Sequence, residues 1–202
     1  MMALLDTSEN LAKCADELGC EVGQLLTPLT RFRLQSAELP WAIDNGAYAR
    51  FDGKAFLSLL EREAHHKVNC LFVTAPDVVA SARRTLEVFE HWKGKLAGWP
   101  LALAVQDGQE DLNVPWDEIA AVFIGGTTQF KLSAPAAHVI KAAKIMGKWA
   151  HVGRVNDPAR FAYFEELGAD SIDGTGISRY SHMRLAIQGR DNQMRLLDEE
   201  QL

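Results

Sequence analysis

The chain has 202 residues, 48% of them hydrophobic, and a formal net charge of −6. That length fits one domain, 1–202, with a full core. The acidic balance excludes a protein that coats nucleic acid non-specifically, and no apolar run reaches the ~18 residues of a membrane helix. The start, Met-Met-Ala-Leu-Leu-Asp-Thr-Ser-Glu, lacks the basic opening and long apolar run of a signal peptide, which points to the cytoplasm. Cys14, Cys20 and Cys70 form no Cys-x-x-Cys pair and read as reduced, buried thiols with no zinc site.

In chain order, Met2–Leu5 is too short to assign. Leu11, Cys14, Ala15 and Leu18 share one face of a helix over 8–18, with Ser8 placed to cap it and Gly19 to stop it. An apolar strand follows at Val22–Thr27, and a second at Trp41–Asp44 runs into Asp44-Asn45-Gly46-Ala47-Tyr48. Asp44 there is either a proton donor and acceptor or a turn residue capping its own backbone. After a helical stretch over 54–66, the strand Cys70–Thr74 leads to Asp77, which reads as a ligand-facing acid or as a helix N-cap. Val79, Ala82, Leu86 and Phe89 form the next helix face.

The strand Leu101–Gln106 ends in a glutamine able both to donate and to accept, in Gln106-Asp107-Gly108. Ala121–Ile124 ends in Gly125-Gly126, where backbone can approach a planar ligand or simply turn. Ser133 opens a helix closed by Gly147, and Asn156 with Pro158 opens another closed by Gly168. Between them the strand Trp149–Gly153 carries His151, which reads as a satisfied core histidine. The last strand, Ser171–Asp173, ends in an acid followed by Gly-Thr-Gly.

These strands are unbroken apolar runs, as in parallel sheets buried on both faces. An open doubly wound sheet binds at one switch point, whereas here a polar cluster follows nearly every strand. The expectation is an α/β fold, a compact (βα)8 TIM-like barrel with a shortened or missing unit near the N-terminus. From about residue 190 the chain is polar, a frayed tail or a final helix. Of the arginines near strand ends, Arg31, Arg33, Arg154, Arg179 and Arg184, most read as solvated surface charge.

The ordered succession Asp-x-Gly-x-Tyr, Pro-Asp, Gln-x-Gly, Gly-Gly, Val-Gly-x-Val and Gly-x-Asp-x-x-Asp resembles the tRNA-guanine transglycosylases. More narrowly it is similar to their reduced phage and bacterial relatives that place 7-deazaguanines in DNA. The resemblance runs from about Val22 to Arg179 and is strongest over 149–179. It implies a (βα)8 barrel with Asp173 as nucleophile and Asp44 as second acid. It further implies Tyr48 and Val152 on opposite faces of the base, with Asp77, Gln106, Gly125 and Gly126 along the guanine edge. Asp170 takes a structural role. Arg154 and Arg179 are the best-placed residues for phosphates, and no metal or cofactor is required.

The chain lacks the Cys/His zinc module of the tRNA enzymes and is much shorter. DNA is therefore expected over tRNA as the nucleic-acid partner, with a free 7-deazaguanine base as the second substrate, in the cytosol of a bacterium or phage-infected host. A nucleoside hydrolase or deoxyribosyltransferase acting on small nucleosides, or a tRNA-guanine transglycosylase, is a second reading. A non-catalytic base- or nucleotide-binding partner protein is a third.

Overall fold

Eight short strands, all parallel and each beside the next in the chain, close into a barrel in the computed structural model, which describes residues 1–189. The strands are β1 (Met2–Leu5), β2 (Val22–Leu26), β3 (Trp41–Ile43), β4 (Cys70–Thr74), β5 (Leu101–Val105), β6 (Ala121–Ile124), β7 (Trp149–Val152) and β8 (Ser171–Asp173). The short run at Met2–Leu5 is thus the first strand. It closes the ring by pairing with both β2 and β8, Leu4 lying opposite Asp173.

The helices are α1 (Leu11–Leu18), α2 (Gly53–Glu63), α3 (Ala82–Lys93), α4 (Thr128–Lys131), α5 (Ala134–Ile145), α6 (Pro158–Glu166) and α7 (Thr175–Arg179), and 181–189 is helical as well. The expected tail from about residue 190 lies outside the described residues. Among the described residues no helix is long and apolar enough to cross a membrane.

The shortening expected near the N-terminus falls in the second unit, because no helix joins β2 to β3. Side chains secure that helix-free crossing. The buried Gln24 donates to the Arg33 carbonyl at 2.8 Å and accepts from the Gln35 amide at 2.8 Å. Arg62 and Asn69 donate to the carbonyls of Phe32 and Ala37 at 2.9 and 2.7 Å. These bonds satisfy backbone groups that a helix would have satisfied internally.

Two helix starts differ from expectation. The cap of α1 is Asn10, whose side chain accepts from the Lys13 amide at 3.1 Å, and Ser8 lies outside the helix. The cap of α6 is Asp157, accepting from the Arg160 amide at 2.9 Å, because Asn156 is engaged by the Gly176 amide at 2.7 Å.

Strand alternation divides the core in two. Met2, Leu4, Leu25, Ala42, Phe72, Ala102 and Ala121 fill the barrel interior with Phe123 and Trp149. Leu5, Leu26, Ile43, Val73, Val105, Ile124, Val152 and Ile172 pack outward against helices. The inward set continues past the last strand residues, so the side chains at the carboxyl ends converge on the barrel mouth.

Candidate active site at the carboxyl ends of the strands

Two adjoining chambers open at that mouth. The outer, of about 320 Å³, is walled by Asp6, Thr27, Thr30, Ser178 and Arg179 among others. The inner, of about 50 Å³, is walled by Asn45, Thr74, Asp77, Gln106, Phe123 and the Gly125–Gly126 backbone. Asp44, Tyr48, Arg154 and Asp173 line both. Four carboxyl groups from β1, β3, β4 and β8 are thus brought together.

Their environments differ. Burial pushes the Asp44 carboxyl up to about 7, helped by the negative charge of Asp173, while a 3.2 Å bond from the Gly46 amide pulls the other way. The backbone-capping role and the site-facing role of Asp44 therefore coexist. Burial also raises the carboxyls of Asp6 and Asp77. Asp77 does not cap α3, whose cap position is Ser81. It accepts from Asn45 at 2.8 Å and from Gln106 at 2.5 Å. Gln106 accepts in turn from the Ala80 amide at 3.0 Å.

Asp173 is held through both oxygens. His151 Nε2 lies 2.9 Å from Oδ2, and the Arg154 amide donates to Oδ1 at 3.1 Å. Arg154 takes left-handed backbone (φ +60°), uncommon for a side-chain-bearing residue and a marker of functional sites. Its guanidinium lies 4.0 Å from the centroid of the Tyr48 ring and donates to the Gly126 carbonyl. Arg154 is therefore a partition between the chambers rather than a rim cation. Arg179 keeps its place in the outer wall. The Gly125–Gly126 turn must remain open: a Cβ at Gly125 would sit 2.7 Å from Gln106 Nε2, and Gly126 has φ +72°.

Val152 is placed elsewhere. It is fully buried in the outward layer and lines neither chamber, because alternation along β7 aims His151 inward and Val152 away. The aromatic ring that does line the inner chamber from that side is Phe123.

Three further residues at the mouth escape the sequence reading. His151 is buried, as expected of a core histidine, yet it touches Asp173. Asp6 follows the unassigned β1 and accepts from the Thr30 hydroxyl at 2.8 Å. The Thr74 hydroxyl is buried without a hydrogen-bond partner in the inner wall, the kind of group a ligand satisfies. Asp170 accepts from Lys144 and from the Ala150 amide at 2.8 Å, away from the mouth. Among the described residues no group of three or more His, Cys, Asp or Glu side chains could hold a metal ion.

Comparison with known proteins gives fold and little more. No family model matches the chain, and no curated protein matches it. A chain of the Amycolatopsis orientalis BexX/CysO complex superposes with a TM-score of 0.51 at 14% identity, covering 93% of this chain and 86% of that one. A flavocytochrome b2 variant gives 0.55 at 15% identity, covering 98% of this chain and 64% of the other. Likeness at such identity establishes a shared barrel architecture and says nothing of chemistry.

Proposed function

We propose that the protein is a guanine transglycosylase that exchanges guanine in DNA for a 7-deazaguanine base through a covalent bond between Asp173 and the sugar. The observation that carries this reading is the pairing of Asp44, with its carboxyl near 7, and Asp173 in the wall of both chambers. A carboxyl that burial keeps protonated near neutrality suits the proton carrier, and the second carboxyl beside it is placed to serve as nucleophile.

In the first half-reaction the C1′–N bond breaks, an Asp173 oxygen bonds C1′, and protonated Asp44 gives its proton to the departing base. In the second, the incoming base attacks C1′, its N–H proton passes to the Asp44 carboxylate, and Asp173 leaves. Asp77 and Gln106, with the unpartnered Thr74 hydroxyl, offer the inner chamber acceptors and donors for a purine edge. The base would leave its stack to reach them, as in other base-modifying enzymes. Arg179 would hold a phosphate beside the outer chamber.

The inner chamber is well below the ~300 Å³ at which small-molecule sites begin. A base entering the inner chamber over the Tyr48 face that Arg154 covers would have to displace the guanidinium.

The acidic wall favours one other reading, exchange or hydrolysis of small uncharged nucleosides without a phosphate chain. Labelled guanine offered with DNA, tRNA and free nucleosides decides between them. Label entering DNA alone, with an adduct that Asp173→Asn cannot form, is the expected result. Label entering only free nucleosides overturns the polymer assignment, and binding without any exchange overturns the enzymatic one.

A further inference from the structure

Behind Asp173 runs a line of polar side chains that the reaction above does not use. Trp149 and His151 on β7 and Ser171 and Asp173 on β8 all face the barrel interior, with His151 paired to Ser171 in the strand register. Trp149 Nε1 donates to Ser171 Oγ at 2.8 Å. His151 Nδ1 lies 2.8 Å from the same Oγ, and Nε2 lies 2.9 Å from Asp173 Oδ2. The imidazole is fully buried against the rings of Phe72 and Phe123, whose centroids lie 5.0 and 4.6 Å away.

Donor and acceptor capacities order this line. An indole nitrogen can only donate, so Ser171 Oγ accepts from Trp149. The Ser171 hydroxyl proton is then free to point at His151 Nδ1, a bond in which the neutral ring accepts. The remaining ring proton lies on Nε2, the atom that faces a carboxylate oxygen able only to accept. In that arrangement every hydrogen bond of the line runs the same way, from Trp149 through Ser171 and His151 to Asp173.

We propose that His151 is a positioning residue for the Asp173 nucleophile, its tautomer set from behind by Ser171 and Trp149. The inference rests on the covalent reading of Asp173. The Nε2–H bond holds Oδ2 while the Arg154 amide holds Oδ1, which fixes the plane of the carboxylate. When the sugar leaves and negative charge returns to Asp173, the same N–H stabilises it at the moment it develops. Cores tolerate a buried polar chain when all its members are satisfied, and such chains specify one arrangement.

Two measurements test this. The first needs no substrate. The chain has six histidines, so the ¹⁵N resonances of His151 are identified by their loss in His151→Gln. Protonation on Nε2 alone is expected, and Ser171→Ala should release the ring into a mixture of tautomers. A wild-type ring protonated on Nδ1 alone or on both nitrogens overturns the relay.

The second is base exchange. His151→Leu should lower kcat about 100-fold, the effect of removing one preorganised donor, while KM for the base changes little. His151→Gln, which keeps an N–H within reach of Oδ2, should recover at least about tenfold of that loss. Leu and Gln variants that are equally slow, with thermal midpoints like wild type, would assign His151 to packing and overturn the proposal, as would a His151→Leu enzyme at wild-type rate. If wild type exchanges no base, the transglycosylase reading fails, and the ¹⁵N result still decides the relay.

Discussion

Asp44 binds its proton more tightly in the folded chain than in the unfolded one, because burial and the nearby Asp173 charge both oppose ionisation. Its native value near 7 stands above the ordinary 3.8, so between those two pH values the native state holds a proton that the unfolded chain has lost. Stability therefore falls as pH rises through that window, and the whole penalty is present above it. Asp44→Asn keeps the acceptor for the Gly46 amide and removes the charge. It should stabilise the fold by a few kcal/mol at pH 8, about 1.4 kcal/mol per unit of raised value, and by almost nothing once the pH falls to about 3, below the ordinary value. Urea unfolding across that range checks this, and a gain independent of pH would remove the assignment. Asp44 and Asp173 were legible in the sequence because an acid closing an apolar run stands out. His151 was not recognised, because a histidine within Trp-Ala-His-Val looks like core and is core. Only the neighbouring strand reveals what its second nitrogen touches.

At the scale of elements, β2 passes close to the residue that leads into β3 and to the barrel interior at Gly23. A Cβ at Gly23 would lie 2.4 Å from the Pro40 carbonyl oxygen and 2.7 Å from a Leu4 methyl in the barrel interior. Gly23→Ala should therefore destabilise by about 1–3 kcal/mol, the usual effect of overpacking. Gly94→Ala is the contrast: nothing lies within 4 Å and the backbone is right-handed at φ −64°, so it should stabilise by about 0.5 kcal/mol. Denaturant midpoints of the two variants give the comparison, and equal midpoints would refute the close-approach argument. The strands Cys70–Thr74, Ala121–Ile124 and Ser171–Asp173 are those read from the sequence, since unbroken apolar runs bounded by polar residues leave little choice. The face that Val152 presents was not readable, because in a continuous apolar run alternation is invisible. The sequence points to Asn156 as the α6 cap, and the cap is Asp157, because Gly176, twenty residues away, claims the Asn156 side chain.

For the molecule as a whole, Arg184 ties the last described helical stretch to the first βα unit. It is fully buried, pairs with Glu17 at 2.6 Å and Glu9 at 2.9 Å, and donates to the Ile177 carbonyl at 2.9 Å. In the sequence it belonged with the strand-end arginines, since nothing local distinguishes a cation that will meet glutamates more than 160 residues away. Arg184→Met would remove the donor to the Ile177 carbonyl and, among the described residues, leave Glu9 and Glu17 only the exposed Lys13 as a cation. A loss of roughly 3 kcal/mol is expected, with faster hydrogen exchange at the β1 amides where the ring closes. An unchanged midpoint and unchanged β1 protection would show that the barrel closes without this tie.

If a base stacks on Tyr48 as proposed, the Arg154 guanidinium that covers that ring is its competitor, present at one copy per site and impossible to dilute away. If the open arrangement were one part in ~100, a free base would bind ~100-fold more weakly than its contacts alone allow. A nucleic-acid phosphate that first draws the guanidinium aside would remove that handicap. Under the proposed exchange reaction, this resting side-chain arrangement would set an order of addition, polymer before base. Arg154→Ala should bind free base more tightly than wild type in equilibrium dialysis and lose any enhancement by added nucleic acid. Unchanged affinity in both conditions would mean that the guanidinium guards nothing.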